Sequence, residues 1–507
     1  VFKLNNNFFY NHFANMPKGV GALFFIQSFS TLAFSVLYST LVLYVTHALH
    51  FSDVMATSIT ASFVAFNYAL HLLGGYIGGR YLSYRGLFVL GMICQIIGCL
   101  LISNANVSAL YWGLAFFLSG AGLNVTCINC MLTQLFNRTD AKREAAFMWN
   151  YSGMNIGFLV GFSLSGYFQL HHAYQQLFII SSVGNILALL LIFFQWQAVA
   201  DKDTVFSAKS KNNFKKVNLM GVSFIVFLIF ALHILLKHSA LSNHLIMVAG
   251  ILMAIVIAFL AHRQPKITDQ NRIWAFLILS FMALVFWTLY QLVPMGLTLF
   301  IERNVDRHYW GMIIAPQWVQ NINTIIIILG GPILSTVFRT LRDRGVGLTI
   351  PLQFSIALLL IGASVLVLPL GIYFSNSLGY TNFNWIIISY VLQSLGELFI
   401  SPIGYAMVGQ LAPQHLQGQL MGTWLMITGV AATLSNYFST MALGNSNSIN
   451  PLITNASFSK TFLILGGTSI VTGIILFYLK PGLTRLIEER QRAGSAGGAD
   501  SEVRVVR

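Results

Sequence analysis

Charge is scarce in this chain: 14 Asp and Glu and 28 Lys and Arg among 507 residues, 8% of the total. Soluble globular domains carry about a quarter of their residues charged, so this scarcity excludes an ordinary soluble protein. Cysteine is scarce as well, with only 4, all between Cys94 and Cys130, so no disulfide framework is implied. Cys127 and Cys130 form a C-x-x-C that suits a soft metal or a redox pair. On an apolar helix without a second such pair, small residues at a packing face are the plainer reading. No nucleophile–base set, metal cluster or phosphate-cradling loop is visible, which argues against an enzyme and against a cofactor. The basic residues are dispersed over short loops, which argues against nucleic acid as a partner despite a net charge of +14.

What the chain has instead is apolar length. Hydrophobic residues make up 56% and mean hydropathy is +0.73. Fourteen apolar runs, the first at 19–49 and the last at 460–479, are each long enough to cross a bilayer as a helix of about 20 residues. The runs are continuous and do not alternate, which favours helices over a barrel. The first run is too long for a signal peptide and lacks a small-residue cleavage site. With the N-terminus inside, all Lys and Arg except Lys237, Arg303, Arg307 and Lys460 fall on the inner side, Arg80, Arg138, Lys142 and Arg339 among them. That asymmetry predicts both termini in the cytoplasm.

The expected organisation is all-α. A cytoplasmic N-terminus (1–18) precedes a six-helix bundle (19–199), then a basic linker with two inserted apolar helices (200–272), a second six-helix bundle (273–480) and a tail (481–507). The tail, small-residue-rich after Arg492, reads as unstructured and in part as an added extension. The inserted helices at 218–236 and 244–262 are apolar nearly all round and read as peripheral. Two six-helix bundles joined by a linker are the plan of the major facilitator fold, in which substrate binds near the midplane. Pro294, Pro332 and Pro402 mark places where helices are expected to bend.

One charge breaks the pattern. Glu397 alone lies deep within an apolar run, where a carboxylate costs at least a few kcal/mol and is normally kept for a task. A carboxylate in apolar surroundings exchanges protons nearer neutral pH than one in water, so Glu397 is a candidate for both substrate binding and proton coupling. His71, one helical turn beyond Tyr68, is a second candidate titrating group; a neutral, hydrogen-bonded packing histidine is the competing reading. His47, His50, His171, His172 and His308 lie at span ends and suit interfacial packing.

Several blocks resemble the proton-dependent oligopeptide transporter family of the major facilitators. Gly396-Glu397-Leu398-Phe399-Ile400-Ser401-Pro402, then Gln410-Leu411-Ala412-Pro413 and Gly418 to Trp424, is similar to its tenth and eleventh core helices. Phe147 to Gly157, with Asn155-Ile156-Gly157, resembles the fifth-helix signature. Phe286-Trp287, Leu297 to Asn304, and Trp318 to Asn323 form a third block, and Leu41-Val42-Leu43-Tyr44 ends the first helix in the family's manner. The resemblance covers 20–480 and includes the inserted helix pair of bacterial members.

The resemblance implies a secondary active transporter of peptides or peptide-like solutes. It would work by alternating access with proton symport, as a monomer in the bilayer with a small-molecule substrate and protons as partners. It also implies that Glu397, Asn155, Tyr68, Trp287, Asn323 and Trp424 contact substrate. The family's charged partners are replaced in pairs. Its first-helix E-x-x-E-R reads Gln27-Ser28-Phe29-Ser30-Thr31, its fourth-helix lysine falls at Val125, its seventh-helix acid at Gln291, the matching arginine at Tyr38, and a cytoplasmic Asp at Gly79. Losing both members of a buried pair can be neutral, whereas losing one strands the other. The paired losses imply a remodelled, less charged cavity in which Gln27 and Gln291 either contact substrate or join helices, the reading that Asn124 also invites. Two alternatives follow. One is a transporter of a siderophore or metal chelate, an amino-acid derivative or an organic anion, with altered or absent proton coupling. The other is a sensor or assembly partner that kept the fold without transporting.

Overall fold

In the computed structural model, residues 16–137, 140, 142–202, 204–207, 211–345, 347–444 and 448–499 are described. Arg138, residues 1–15 of the N-terminal segment and residues 500–507 of the tail lie outside the described residues.

The apolar runs become helices α1 (Val20–His47), α2 (Asp53–Ile77), α3 (Tyr84–Ile102), α4 (Val107–Gln134), α5 (Lys142–Leu170), α6 (Tyr174–Phe194), α7 (Lys211–Lys237) and α8 (Ser239–His262). They continue as α9 (Ile267–Tyr290), α10 (Thr298–Asn304), α11 (Pro316–Asp343), α12 (Ile350–Tyr373), α13 (Phe383–Leu411), α14 (Gln417–Leu443) and α15 (Pro451–Ala499). Twelve of the helical segments among the described residues are long and apolar enough to cross a membrane. The other two of membrane length, α5 and α14, fall short because they carry the polar residues Asn150, Asn155, Gln417, Gln419 and Asn436. Caps set several starts: Ser52, Ser83, Asn106 and Asn382 each accept a hydrogen bond from a first-turn N–H. Two-residue strands β1 (Val305–Asp306), β2 (His308–Tyr309), β3 (Met312–Ile313) and β4 (Thr381–Asn382) lie in the connections. The tail differs from its expected state, since α15 runs on to Ala499. After Pro481 its residues are good helix formers with isolated glycines until Gly497, each costing only about 1 kcal/mol.

The chain divides into two compact units, the first being residues 1–243 with 310–324 and the second 244–309 with 325–507. In the first unit, α1 packs on α5 and α6, α3 on α4 and α6, and α2 and α7 on α4. The α1–α5 crossing is set by Gly153, Gly157 and Gly161. A Cβ at Gly153 would stand 2.7 Å from the Phe24 carbonyl oxygen; one at Gly157 or Gly161 would collide with the Ser28 carbonyl or the Ser35 hydroxyl. Without a hydrophobic drive between helices in lipid, such small-residue contacts are what bring backbones together.

On the side where α2 ends and α3 begins, the connection after α6 folds back onto the bundle. Asp201 accepts the Tyr84 N–H through both carboxylate oxygens at 3.0 Å, capping α3, and the Arg85 guanidinium lies 4.3 Å over the Trp196 ring. Burial raises the Asp201 carboxyl above the usual range, opposed by the Tyr84 and Arg85 N–H groups and the Arg85 charge. The inserted helices are exposed over much of their length, but their polar residues are not idle. Ser58 and Ser239 hydroxyls meet at 3.0 Å, Asn243 Nδ2 donates to Ser58 Oγ at 3.1 Å, and Ser62 donates to Asn243 Oδ1 at 3.2 Å. This knot pins the start of α8 to α2.

In the second unit, α12 packs on α13 and α15, and α9 on α14, α15 and α12. The bend expected at Pro294 is a break. After Tyr290 the chain makes a π turn at Val293–Leu297, with Met295 at φ −126°, ψ −110°, before α10 resumes. The freed Gly296 N–H donates to Ser439 Oγ of α14 at 3.1 Å, and Thr298 Oγ1 donates to the Val293 carbonyl at 2.6 Å. By contrast, α11 and α13 run on as single helices through Pro332 and Pro402. Beyond α10, β1 pairs in parallel with β4, Val305 opposite Thr381. Buried Asn304 donates to Thr454 Oγ1 at 2.7 Å and Asn455 Oδ1 at 2.9 Å, and Asn455 donates on to the Gly379 carbonyl at 2.7 Å.

Candidate functional site

Each unit carries its own share of the candidate residues. In the first unit the glycine-guided α1–α5 crossing brings Gln27 beside Asn150. Gln27 is 3% exposed; its Nε2 donates to Thr31 Oγ1 at 3.0 Å and its Oε1 accepts from Asn150 Nδ2 at 3.5 Å. The polar seam of unit 1 is therefore Gln27–Thr31–Asn150. Asn155, one turn further along α5, does not join it: its Nδ2 donates to the Tyr151 carbonyl of its own helix at 2.9 Å. Asn150 was not among the sequence candidates. Its signal was available, an amide three residues before the first of three glycines spaced four apart.

On α2, Tyr68 and His71 are neighbours with ring centroids 5.8 Å apart, as their spacing predicts. Both His71 ring nitrogens are buried and make no hydrogen bond to another helix, with only the Tyr68 backbone of α2 in reach, while its carbonyl accepts from Thr126 Oγ1 of α4 at 2.8 Å. Asn124 resolves differently. It is 3% exposed, and its side-chain amide occupies the space a Cβ on Gly91 would need, so it fills the α3–α4 crossing. Asn323 lies half-buried on α11, among the residues grouped with the first unit. Two side chains earlier on α11 dock on α5: Trp318 Nε1 donates to the Ser163 carbonyl at 2.9 Å and Asn321 Nδ2 to Ser163 Oγ at 3.0 Å.

In the second unit, Glu397 lies at the middle of α13 and is half-buried. Its neighbour Gly396 faces Phe286 of α9, whose ring would stand 3.3 Å from an added Cβ. Trp287, the residue after Phe286, lies on that adjacent helix. Its ring is held edge-on by Phe286 at 5.3 Å and Tyr290 at 5.2 Å. Gln291, fully buried, occupies the C-cap of α9 just before the π turn. Interrupted membrane helices of this kind are tolerated where they meet protein or a wet cavity. Trp424 is 5% exposed; its indole fills the space beside Gly404 of α13 and lies 6.2 Å from the Phe354 ring. Its place is in the packing between α13 and α14. The four cysteines are free thiols on α3 and α4, and Cys127 is fully buried.

Comparison with known proteins agrees with this architecture. The model of the POT family (PTR2) matches residues 84–455. The chain is 28% identical over 485 residues to dipeptide and tripeptide permease A of Salmonella typhimurium, covering 94% of each protein. It is 29% identical over 479 residues to the protein of that name from Cronobacter turicensis, covering 93% of this chain and 94% of that one. Among solved structures it resembles a peptide transporter POT in complex with sulfate, with a TM-score of 0.81 and 22% identity over 93% of this chain and 96% of that chain. A POT family transporter in complex with 5-aminolevulinic acid gives 0.79 and 23% over 92% and 97%. These likenesses establish the major facilitator fold, two six-helix bundles with two inserted helices. With the family match spanning most of the chain, the protein is a member of the POT family, a multi-pass membrane transporter and not an enzyme.

Proposed function

We propose that this chain carries small peptides or peptide-like solutes across a bacterial inner membrane by proton-coupled alternating access, as a monomer with both termini in the cytoplasm. The observation that carries the reading is Glu397, a half-buried carboxylate at the centre of a membrane helix whose neighbour Gly396 packs against α9. A carboxylate there binds a cationic amino group when ionised and a proton when not, so one group serves recognition and coupling. The names of the relatives support the peptide reading, and the inner-side excess of Lys and Arg supports the orientation.

Tyr68, Asn155, Trp287, Gln291, Gln27 and Asn323 are the proposed substrate-facing set. His71, whose ring makes no hydrogen bond to another helix, is the proposed second proton carrier. The division into a 19–199 bundle, a 200–272 linker region and a 273–480 bundle is the proposed working division. In proteoliposomes with an imposed inward proton gradient, Glu397→Gln is expected to lower uptake of labelled dialanine about tenfold or more and to abolish its pH dependence. Unchanged pH-dependent uptake would sink the role given to Glu397.

One observation favours a second reading of the cargo. The amides that replace charge in unit 1 are engaged within the protein, Gln27 with Thr31 and Asn150, and Asn155 with Tyr151. Among the described residues no cation bonds to these amides, so an amine-bearing solute without a terminal carboxylate fits as well. Stronger thermal stabilisation by peptide amides than by free dipeptides would select it. The metal-chelate alternative gains no support from the relatives' names.

A further inference from the structure

The second unit holds a cavity of about 560 Å³ far from Glu397, where α9 and α12 begin and α13 and the apolar part of α15 end. Gln410, on its wall, lies about 20 Å beyond Glu397 along α13 at ordinary helical rise. Three features point to an oxyanion. Arg272 lines the cavity, and among the described residues no carboxylate pairs with it; Asp269, one turn earlier on α9, is outside the lining. The start of α12 is uncapped: Thr349 holds the N-cap position, yet its side chain makes no capping hydrogen bond, and Pro351 in the first turn has no N–H. The remaining first-turn N–H groups and the positive end of the helix dipole therefore face outward unmet.

The third feature is independent of the helix end. Gln353, 6% exposed, lines the cavity with Oε1 lacking any partner, while its Nε2 is held by the Leu348 carbonyl at 2.9 Å. The hydroxyls of Thr349 and Thr484, on opposite walls, also lack partners. Buried polar groups are ordinarily satisfied, and three orphans around one cavity call for a guest.

We propose that this cavity binds a phosphate group carrying a free hydroxyl. The phosphate sits on Arg272 and the α12 N-terminus, and the hydroxyl donates to Gln353 Oε1. The end of the unit that holds the cavity also carries Arg263, Lys266, Arg339 and Arg344, so a glycerol-phosphate lipid headgroup and a soluble phosphate ester share the required chemistry.

The test uses the full chain, purified and delipidated. Native mass spectrometry would compare retention of palmitoyl-oleoyl phosphatidylglycerol with that of palmitoyl-oleoyl phosphatidylcholine, and thermal shift would be followed with glycerol 3-phosphate and inorganic phosphate. Preferential retention of phosphatidylglycerol, cut about tenfold by Arg272→Gln and lessened by Gln353→Leu, supports the lipid source, that factor being the loss of one charge-assisted hydrogen bond. Stabilisation by glycerol 3-phosphate that Arg272→Gln removes, without lipid preference, supports the soluble source. Equal retention of both lipids with no shift from either phosphate overturns the proposal. So does preference that survives in both variants, each checked for folding by size exclusion. Binding is read without transport, so failure here leaves the transport reading untouched, and the reverse holds as well.

Discussion

The α1–α5 crossing of the first unit and the α9–α13 pair of the second solve the same problem in opposite ways. Both hold polar groups inside a membrane protein. In the first, backbones touch through glycines and the amides bond one another or their own helix, so the seam is neutral. In the second, α9 is interrupted at Val293–Leu297 and a carboxylate stands half-exposed at the centre of α13. The contrast separates rigidity from responsiveness. An amide seam has no group that changes charge, whereas a half-buried acid beside a broken helix has both a proton to exchange and backbone able to shift.

The comparison can be broken hardest at its tightest point. Gly157→Leu drives a side chain into the Ser28 carbonyl, which belongs to backbone and cannot move aside. Overpacking there is expected to cost about 3 kcal/mol or more, read as loss of monodisperse protein or a large fall in Tm. Next comes Gly404→Ala, whose Cβ would overlap the Trp424 ring. Because a side chain can yield where backbone cannot, a loss of about 1–3 kcal/mol is expected, with the folded state retained and indole fluorescence shifted. A result for Gly404→Ala as severe as for Gly157→Leu would erase the distinction between the two units.

Smaller effects sharpen it. Asp201→Ala removes the acceptor of the Tyr84 N–H while Ser83 still caps α3, and should cost about 1 kcal/mol in thermal or denaturant unfolding. Asp201→Asn keeps an acceptor oxygen and should be neutral or slightly stabilising at pH 7. The sign follows from the raised Asp201 carboxyl: a folded value above the unfolded one makes its contribution largest at acid pH and smaller once pH rises through the folded value. Asparagine escapes that loss, and a strongly destabilised Asp201→Asn would contradict it.

The helices were legible because their signals are local. An apolar run of bilayer length needs no partner to be read, and Pro294 announces the break in α9 because it carries no N–H. Pro402 sends the same signal, yet α13 runs through it. Proline costs a helix one hydrogen bond, and whether that becomes a break depends on what the freed groups meet, as Gly296 meets Ser439. The site was legible as a set of residue types but not as pairings. Gln27 with Asn150, Asp201 with Tyr84, and Asn243 with Ser58 and Ser62 join positions more than a hundred residues apart in sequence, and no local periodicity encodes them. Trp424 shows the opposite limit. Its motif placed it with the substrate-facing residues, while its indole is seated against Gly404.

The knot between α2 and α8 also sets an order of assembly. Ser62 and Asn243 are separated by 181 residues, and α7 and α8 are joined through His238 alone, so the pair enters the bilayer as one hairpin. Until that hairpin arrives, the Ser58 and Ser62 hydroxyls have only their own helix to bond. The inserted pair therefore clasps α2 only once the chain has been made through Asn243.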